Sequence, residues 1–283
     1  MSHDTEPAAK RAAEALNQSR LDRYLSVSVN IVERYWLPVW TVLVFAFLFA
    51  PIVILILFSF EQGTFSSLPW DGFTTRWYSE MLNDGRLIES TFNSLQVAAN
   101  VTVVATILGT LGAIALVRGQ FRRKGLFRAI IIAPMTIPGL ILGIALLIWF
   151  NVIGMNTSLL TVMLGQLVFV TPFVVITVSA RLRGFDPELE EAARDLGASR
   201  WQTYRRVTLP LLMPGIVSGA LFAFTLSFDD FLIAFFTSGP NNTLPIYIWS
   251  KIQHGTDPVV NAISAMVLLF SITLIVISQL LRR

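Results

Sequence analysis

The sequence predicts an all-α membrane protein with six transmembrane helices, and three observations carry that prediction. Of the 283 residues, 54% are hydrophobic and only 14% charged, and the mean hydropathy is +0.65, which excludes an ordinary soluble domain. Six apolar runs, at about 37–60, 91–117, 129–151, 158–180, 211–236 and 259–281, reach the ~20 residues a helix needs to cross roughly 30 Å of hydrocarbon. The basic residues also alternate between connections. Eighteen of the 21 fall in residues 1–36, 117–128, 181–206 and the C-terminal end, which leaves Arg76, Arg86 and Lys251 for the opposite side. The positive-inside rule then puts both termini and the 181–210 loop in the cytoplasm.

Residues 1–36 read as a cytoplasmic tail, polar and Ala-rich at its start and expected to be disordered there. Its second half offers an interfacial helix with Leu21, Tyr24, Leu25 and Ile31 on one side. The apolar run that follows is too long for a cleaved signal and lacks a small-residue cleavage pattern. Residues 37–283 form the transmembrane domain. Trp36, Trp40 and Trp149 sit at run ends as interfacial anchors. Pro51, Pro134, Pro138 and Pro172 fall inside runs, where neighbouring helices can cover the bent backbone. The outer connection 61–90, with Trp70, Gly72, Phe73, Thr74, Trp77 and Tyr78, reads as a short amphipathic helix on the surface. The other outer connection, 237–258, holds Gly239, Pro240, Pro245 and the Tyr247 and Trp249 aromatics.

The fifth run carries the polar groups that need an explanation. Asp229 and Asp230 lie roughly 25–29 Å beyond Leu211 if the helix continues at 1.5 Å per residue. Carboxylates at membrane depth are costly and point to function. No Lys or Arg lies inside any predicted span to neutralise them, so another subunit, water or a cationic cargo must do so. Ser218, Phe222, Thr225 and Asp229 share one helical stripe, a candidate polar lining, while Gly215, Gly219, Ala223 and Ser227 form a small-residue stripe for close packing. Asn93, Gln96 and Asn100 make a second polar stripe, open to two uses: the same pathway or hydrogen bonding between helices.

Between the fourth and fifth runs lies the longest charged stretch, 186–210. It reads as two short helices. Asp186 caps the first, Pro187 opens it and Glu188, Glu190 and Glu191 lie at its positive end. Gly197 ends it. Ser199 and Gln202 form a capping box for the second, which Pro210 and Pro214 are expected to stop. A DNA-binding helix-turn-helix is a rival reading, but both arms run into membrane, so no nucleic acid is expected. A plain solvated connection is the bland one.

The residues themselves favour a third reading. Glu191, Ala192 and Ala193, then three residues, Gly197, nine residues, and Val207, Thr208, Leu209 and Pro210 resemble the coupling-loop signature of ABC importer permeases. The departure is Val207 where that signature has Ile. Ser227-Phe228-Asp229-Asp230-Phe231 and both outer connections resemble the permeases for spermidine and putrescine. The resemblance implies a type I (MetI-like) importer permease fold with cytoplasmic coupling helices, in a bacterial inner membrane. It implies Glu191, Ala192, Ala193, Gly197, Leu209 and Pro210 as the ATPase contact, while the acids and the polar stripes themselves offer Asp229, Asp230, Thr225, Asn93 and Gln96 as the candidate pathway. It also implies three kinds of partner besides lipid: a homologous second permease, two ATPase subunits holding ATP and Mg, and a periplasmic substrate-binding protein. Polyamines are the expected cargo, with another small organic solute or a metal ion as the alternative.

The chain itself is expected to hold no cofactor or metal and to catalyse nothing. It has no Cys and two His, and its lysines, Lys10, Lys124 and Lys251, follow Ala9, Arg123 and Ser250, so no Gly-Lys-[Ser/Thr] phosphate loop exists. A self-contained secondary transporter is the rival class, but it would carry internal repeats that this sequence does not display.

Overall fold

The computed structural model describes residues 36–63, 69–184, 186, 188–253, 255 and 257–281. The expected tail helix within 1–36, and Pro187, lie outside the described residues. Two compact units result: one holds the described chain up to Trp77 together with the chain from Asn261, and the other spans Tyr78–Val260.

In the first unit, α1 (Leu37–Phe58) is apolar all round and buries no residue against protein, the pattern of a helix solvated by lipid or a partner. The chain then folds into a small clip. An isolated bridge pairs Glu61 with Phe73, Gln62 N–H donates to Gly72 O at 3.0 Å, and Thr74 N–H donates to Phe60 O at 2.8 Å. Phe60 stacks on Phe73 at 5.1 Å, and Trp77 Nε1 donates to Glu61 O at 2.6 Å. The expected surface helix of 61–90 is therefore only the short α2 (Arg76–Asn83), and the next long helix starts earlier than its apolar run does. Asp84 explains that early start, because its carboxylate caps the N–H groups of Arg86 and Leu87.

The second unit is built on α3 (Gly85–Arg118), α6 (Leu159–Arg183) and α9 (Leu209–Phe228). Val97, Val101, Ala105, Val170, Val174 and Ala223 are among the residues of their shared core. Missing side chains let the three backbones converge. A Cβ on Gly109 would stand 2.6 Å from Val174, and one on Gly219 would stand 3.1 Å from the same side chain. Val174 thus fills the space that two glycines leave, and the small-residue stripe read from the sequence is a packing face.

Two predicted spans are not single helices. The third divides into α4 (Lys124–Thr136) and α5 (Gly139–Val152), bent by 107°. Pro138 removes a donor and forces Ile137 out of the helical region, to φ −83 and ψ 126. The fifth is one run from Arg200 to Phe228, after which the chain breaks at Asp229 and re-forms as α10 (Leu232–Thr237). Pro210 does not stop the helix before it. α8 (Arg200–Thr203) passes through a π-helical turn, Tyr204–Thr208, into α9, and Leu209 N–H reaches back to Tyr204 O. The wider turn accommodates the prolyl ring and its missing donor. Among the described residues, four helices are long and apolar enough to cross a bilayer, or five if the bent pair counts as one. The run expected as the sixth span, 259–281, falls within a helix, Pro258–Leu281, of which Pro258–Leu269 is apolar among the described residues. The remaining helices are α7 (Glu188–Asp195), α11 (Leu244–Gln253) and α12 (Pro258–Leu281).

Candidate functional site

The 186–210 segment is held by local bonds that its sequence dictates. Asp186 Oδ1 accepts from Glu188 N–H at 3.0 Å and starts α7. Gly197, at φ +86, ends it: Gly197 N–H donates to Arg194 O at 2.8 Å and Ala198 N–H to Ala193 O at 3.1 Å. Those two bonds are the Schellman pattern, which needs a left-handed residue at this position. Ser199 and Gln202 then exchange bonds of 2.8 and 3.3 Å, the capping box that begins α8.

One acid anchors this segment to the helices, and it is Glu190, not the signature's Glu191. Glu190 is 8% exposed. Its Oε1 receives Arg118 Nη2 at 2.6 Å and the Thr208 hydroxyl, while Arg194 Nη2 stands 3.7 Å from Oε2. A single carboxylate therefore joins α7 to the end of α3 and to the π-helical turn leading into α9. Glu191, Ala192 and Pro210 lie exposed, and Ala193 and Leu209 are half-buried. The outer side of the segment is apolar where water would favour polar groups: Leu189, Leu196 and Trp201 are 49%, 89% and 66% exposed. Leu196, Gly197 and Val207 help line a hollow of about 310 Å³ there, and Trp201 with Arg205 lines another of about 440 Å³. Sequence reasoning missed Glu190 because Arg118 lies far away along the chain, and a motif names its residues without their partners.

At the break after α9, the two acids differ. Asp229 is exposed and occupies the helix C-terminus. Asp230 is half-buried and turns inward, and its Oδ2 accepts from Ala234 N–H and from Gln166 Nε2, each at 3.0 Å. Gln166, 1% exposed, accepts in turn from the Ser227 hydroxyl. Asp230 therefore caps α10 and ties it to α6 and α9. Thr225 and Gln96 are exposed, on α9 and α3. Asn93 is buried and donates to Asn242 O at 2.9 Å, so it fastens a connection to α3.

A third polar cluster escaped the sequence reading altogether. Tyr247 Oη donates to Asp84 Oδ2 at 2.5 Å, and Lys251 Nζ lies 3.0 Å from Asp257 Oδ2 and 3.9 Å from Asp84 Oδ2. The ammonium also faces the Tyr247 ring, 5.6 Å from its centre. With Leu244 N–H donating to Ser94 Oγ at 2.8 Å, the cluster holds α11 against the start of α3. Its charges are settled by their neighbours. Burial pushes Asp84 up, but the Tyr247 hydroxyl, two backbone N–H groups and Lys251 outweigh it and hold the acid below its ordinary 3.8. The hydrogen bond to Asp257 raises Lys251 above 10.5. Burial and the bond to Asp84 push Tyr247 up to about 12.

These directions fix a pH window for α11. A lowered acid contributes stability above 3.8 and loses it as pH falls through its folded value. The raised lysine and tyrosine contribute below 10.5 and 10.0 and lose it as pH climbs through their folded values. Docking of α11 is therefore expected to be level across neutral pH and to weaken at both extremes. Hydrogen exchange of α11 amides against pH checks this, and in Asp84→Asn the acid-side weakening should disappear.

Residues 105–283 match the family described as the binding-protein-dependent transport system inner membrane component. The chain is 38% identical over 241 residues to the spermidine/putrescine transport system permease protein PotC of Escherichia coli K12, covering 85% of this chain and 91% of that one. It is 40% identical over 249 residues to the putrescine transport system permease protein PotI of the same strain, covering 85% and 88%. Among solved structures, a chain of a bacterial ABC transporter that imports alginate superposes with a TM-score of 0.65 at 19% identity, over 88% of this chain and 96% of that one. A chain of the MetNI methionine ABC transporter gives 0.56 at 20% identity, over 71% and 94%. The apolar helices, their core and these matches lead to one conclusion: this chain belongs to the inner membrane components of binding-protein-dependent transport systems.

Proposed function

We propose that the chain is the permease subunit of an ATP-driven importer whose cargo is a polyamine, putrescine or spermidine. The observation that carries this is the 38–40% identity to the two polyamine permeases over 85% of the chain. The assembly would comprise this chain, a homologous second permease, two ATPase subunits that hold ATP and Mg, and a periplasmic binding protein that delivers the cargo. The chain needs no cofactor of its own for this role.

Energy enters through the 186–210 loop. Exposed Leu196 and Trp201, with the adjoining hollow, suit a partner surface that covers apolar side chains. When the ATPases close, α7 and α8 move with them. Glu190 passes that displacement to α3 through Arg118 and to α9 through Thr208, and the pathway changes the side to which it opens. Exposed Asp229 and Thr225, with Gln96, line the path, and the carboxylate offsets the charge of a polycation as it sheds water. Asp230 and Asn93 serve that path by fixing the backbone around it.

Uptake into vesicles reconstituted with all subunits and the binding protein tests the reading. Labelled putrescine or spermidine should accumulate with ATP and not without it, while neutral sugars and amino acids should not. No polyamine uptake by a fully assembled complex would overturn the cargo assignment. Orientation is read separately in this Cys-free chain: an impermeant thiol reagent should label Asn241→Cys, and not Ser199→Cys, in intact spheroplasts.

Gly197 isolates the coupling step. A Cβ there would meet nothing within 4 Å, so substitution acts through the backbone and the surface rather than through a clash. Asn tolerates the left-handed conformation, with a cost of about 1 kcal/mol or less. Gly197→Asn should therefore keep most uptake. Gly197→Asp adds a charge beside Leu196 and should yield an inserted permease that no longer co-purifies the ATPase. Equal uptake and co-purification in both variants would remove this surface from the ATPase contact.

A further inference from the structure

The clip beyond α1 buries an acid that nothing answers. Glu61 is 1% exposed, and neither of its carboxylate oxygens meets a hydrogen-bond donor among the described residues. Glu190 shows the contrast, since its buried carboxylate receives Arg118 and the Thr208 hydroxyl. Taking a charge out of water without a partner is costly, and buried charges are kept where another group completes them.

The surroundings narrow what that group is. The bridge partner of Glu61 is Phe73, whose ring stacks on Phe60 at 5.1 Å, and Phe58 stacks on Trp70 at 6.1 Å. Trp77 donates its indole N–H to the Glu61 carbonyl oxygen and leaves the carboxylate open. The clip thus offers one carboxylate in a segment rich in ring faces. Ca²⁺ and Mg²⁺ demand a shell of several oxygens, but the carbonyls of Phe60, Glu61 and Gly72 already accept from Thr74, Trp77 and Gln62. A guanidinium brings more N–H donors than one carboxylate can satisfy. A primary alkylammonium fits both features: its charge pairs with the carboxylate, and aromatic faces attract the cation and cover its carbon chain.

We propose that Glu61 receives the ammonium of a linear alkylamine, in a site that the clip closes over. The clip is suited to opening. Its limbs are joined by Gln62 N–H to Gly72 O at 3.0 Å and Thr74 N–H to Phe60 O at 2.8 Å, and so small a two-stranded ribbon is marginal by itself. Opening returns the carboxylate to water. Closing over an ammonium buries a paired charge instead of a lone one, so the bound ammonium stabilises the closed clip. In the orientation given by the basic residues, the clip lies at the outer end of α1, where cargo delivered from outside arrives. This deepens the polyamine reading and rests on it for the identity of the natural ligand.

The test uses the assembled complex in nanodiscs, without binding protein, and reads hydrogen exchange at the Gln62 and Thr74 amides that the limbs protect. n-Butylammonium should slow that exchange in wild type, and putrescine and spermidine should do the same. At ligand about ten times its Kd the slowing should be about tenfold, because the ammonium binds the closed clip alone. Sodium at equal ionic strength and n-butanol should have no effect. Glu61→Leu keeps the bond to Trp77, which uses the backbone, and removes the unpaired charge. Without ligand its amides should exchange more slowly than those of wild type, and n-butylammonium should add nothing.

Equal slowing by n-butylammonium in wild type and Glu61→Leu overturns the site, as does equal slowing by sodium. Faster exchange in ligand-free Glu61→Leu than in wild type also overturns it, because the carboxylate would then be holding the clip itself. Should Glu61→Leu fail to assemble, Glu61→Gln decides: slowing by n-butylammonium that survives in this variant overturns the site. A wild-type complex that n-butylammonium leaves unchanged overturns it too, and a lysine of a partner subunit on Glu61 would give that result. The response to n-butylammonium is independent of what the complex carries. A response in a complex that takes up no polyamine keeps the site and overturns the cargo, and polyamine uptake with no response does the reverse.

Discussion

Glu190→Ala should uncouple transport and weaken the permease at once, whereas Glu191→Ala next to it should leave the permease's own stability unchanged. Glu190 is 8% exposed and its Oε1 receives both Arg118 and the Thr208 hydroxyl. Truncation leaves Thr208, 2% exposed, with a hydroxyl that has lost its acceptor, and removes the 2.6 Å bond between Arg118 and the loop. A buried hydroxyl left without its acceptor costs about 1–3 kcal/mol, and the lost ion pair adds less because the Arg118 side chain is 35% exposed. The lost contacts are also the joints between α7 and the two helices α3 and α9. Uptake should fall by more than tenfold, a decade being equivalent to ~1.4 kcal/mol, even in preparations where the ATPase still co-purifies. Glu190→Gln keeps an acceptor for Thr208 and loses the charge attraction to Arg118, so it should fall between. Thermal unfolding of the solubilised permease together with vesicle uptake decides the matter. Equal melting of Glu190→Ala and Glu191→Ala would show that the buried acid does not hold the loop.

That contrast also marks what can be read from residues alone. The caps of the 186–210 segment were legible because each is a bond between near neighbours, as with Ser199 and Gln202 or Ala193 and Ala198. The small-residue stripe was legible because Gly215, Gly219, Ala223 and Ser227 repeat at helical spacing, and the structure supplies the partner, Val174. Glu190 was not, because what distinguishes it from Glu191 is which side of α7 meets Arg118. Pro138 announced a disturbance in the third run but not a bend of 107°, which depends on how α4 and α5 find separate neighbours. In the fifth run the apolar pattern continued past Asp229 and concealed a chain break, since the periodicity of α9 and that of α10 join without a polar gap beyond the two acids. The cluster of Asp84, Tyr247, Lys251 and Asp257 was hidden for the same reason as Glu190: the residues meet only once α11 has packed on α3.

The two acids at that break should respond in opposite ways to substitution. Asp230→Ala removes the acceptor for Ala234 N–H and for Gln166 Nε2, and Gln166 is 1% exposed with no water to turn to. Loss of a helix cap costs about 1 kcal/mol. A buried amide left without its partner costs about 1–3 kcal/mol more. Asp230→Ala should therefore lower stability by about 2–4 kcal/mol and detach α10 from α6. Asp230→Asn can present its amide oxygen where Oδ2 stood and keep both 3.0 Å bonds, so it should remain near wild type in melting. Asp229 is exposed and caps nothing with its side chain, so Asp229→Asn should not change melting at all. Its consequence should appear only in uptake, as a several-fold slower entry of spermidine than of putrescine relative to wild type, because the cargo with more charges loses more attraction. The decisive comparison is uptake of both polyamines by Asp229→Asn and Asp230→Asn in preparations of equal assembly. If Asp229→Asn transports both at the wild-type rate, the exposed acid has no part in the path. If Asp230→Ala melts with wild type, the inward-facing acid is not the tie between α10 and the core that its hydrogen bonds describe.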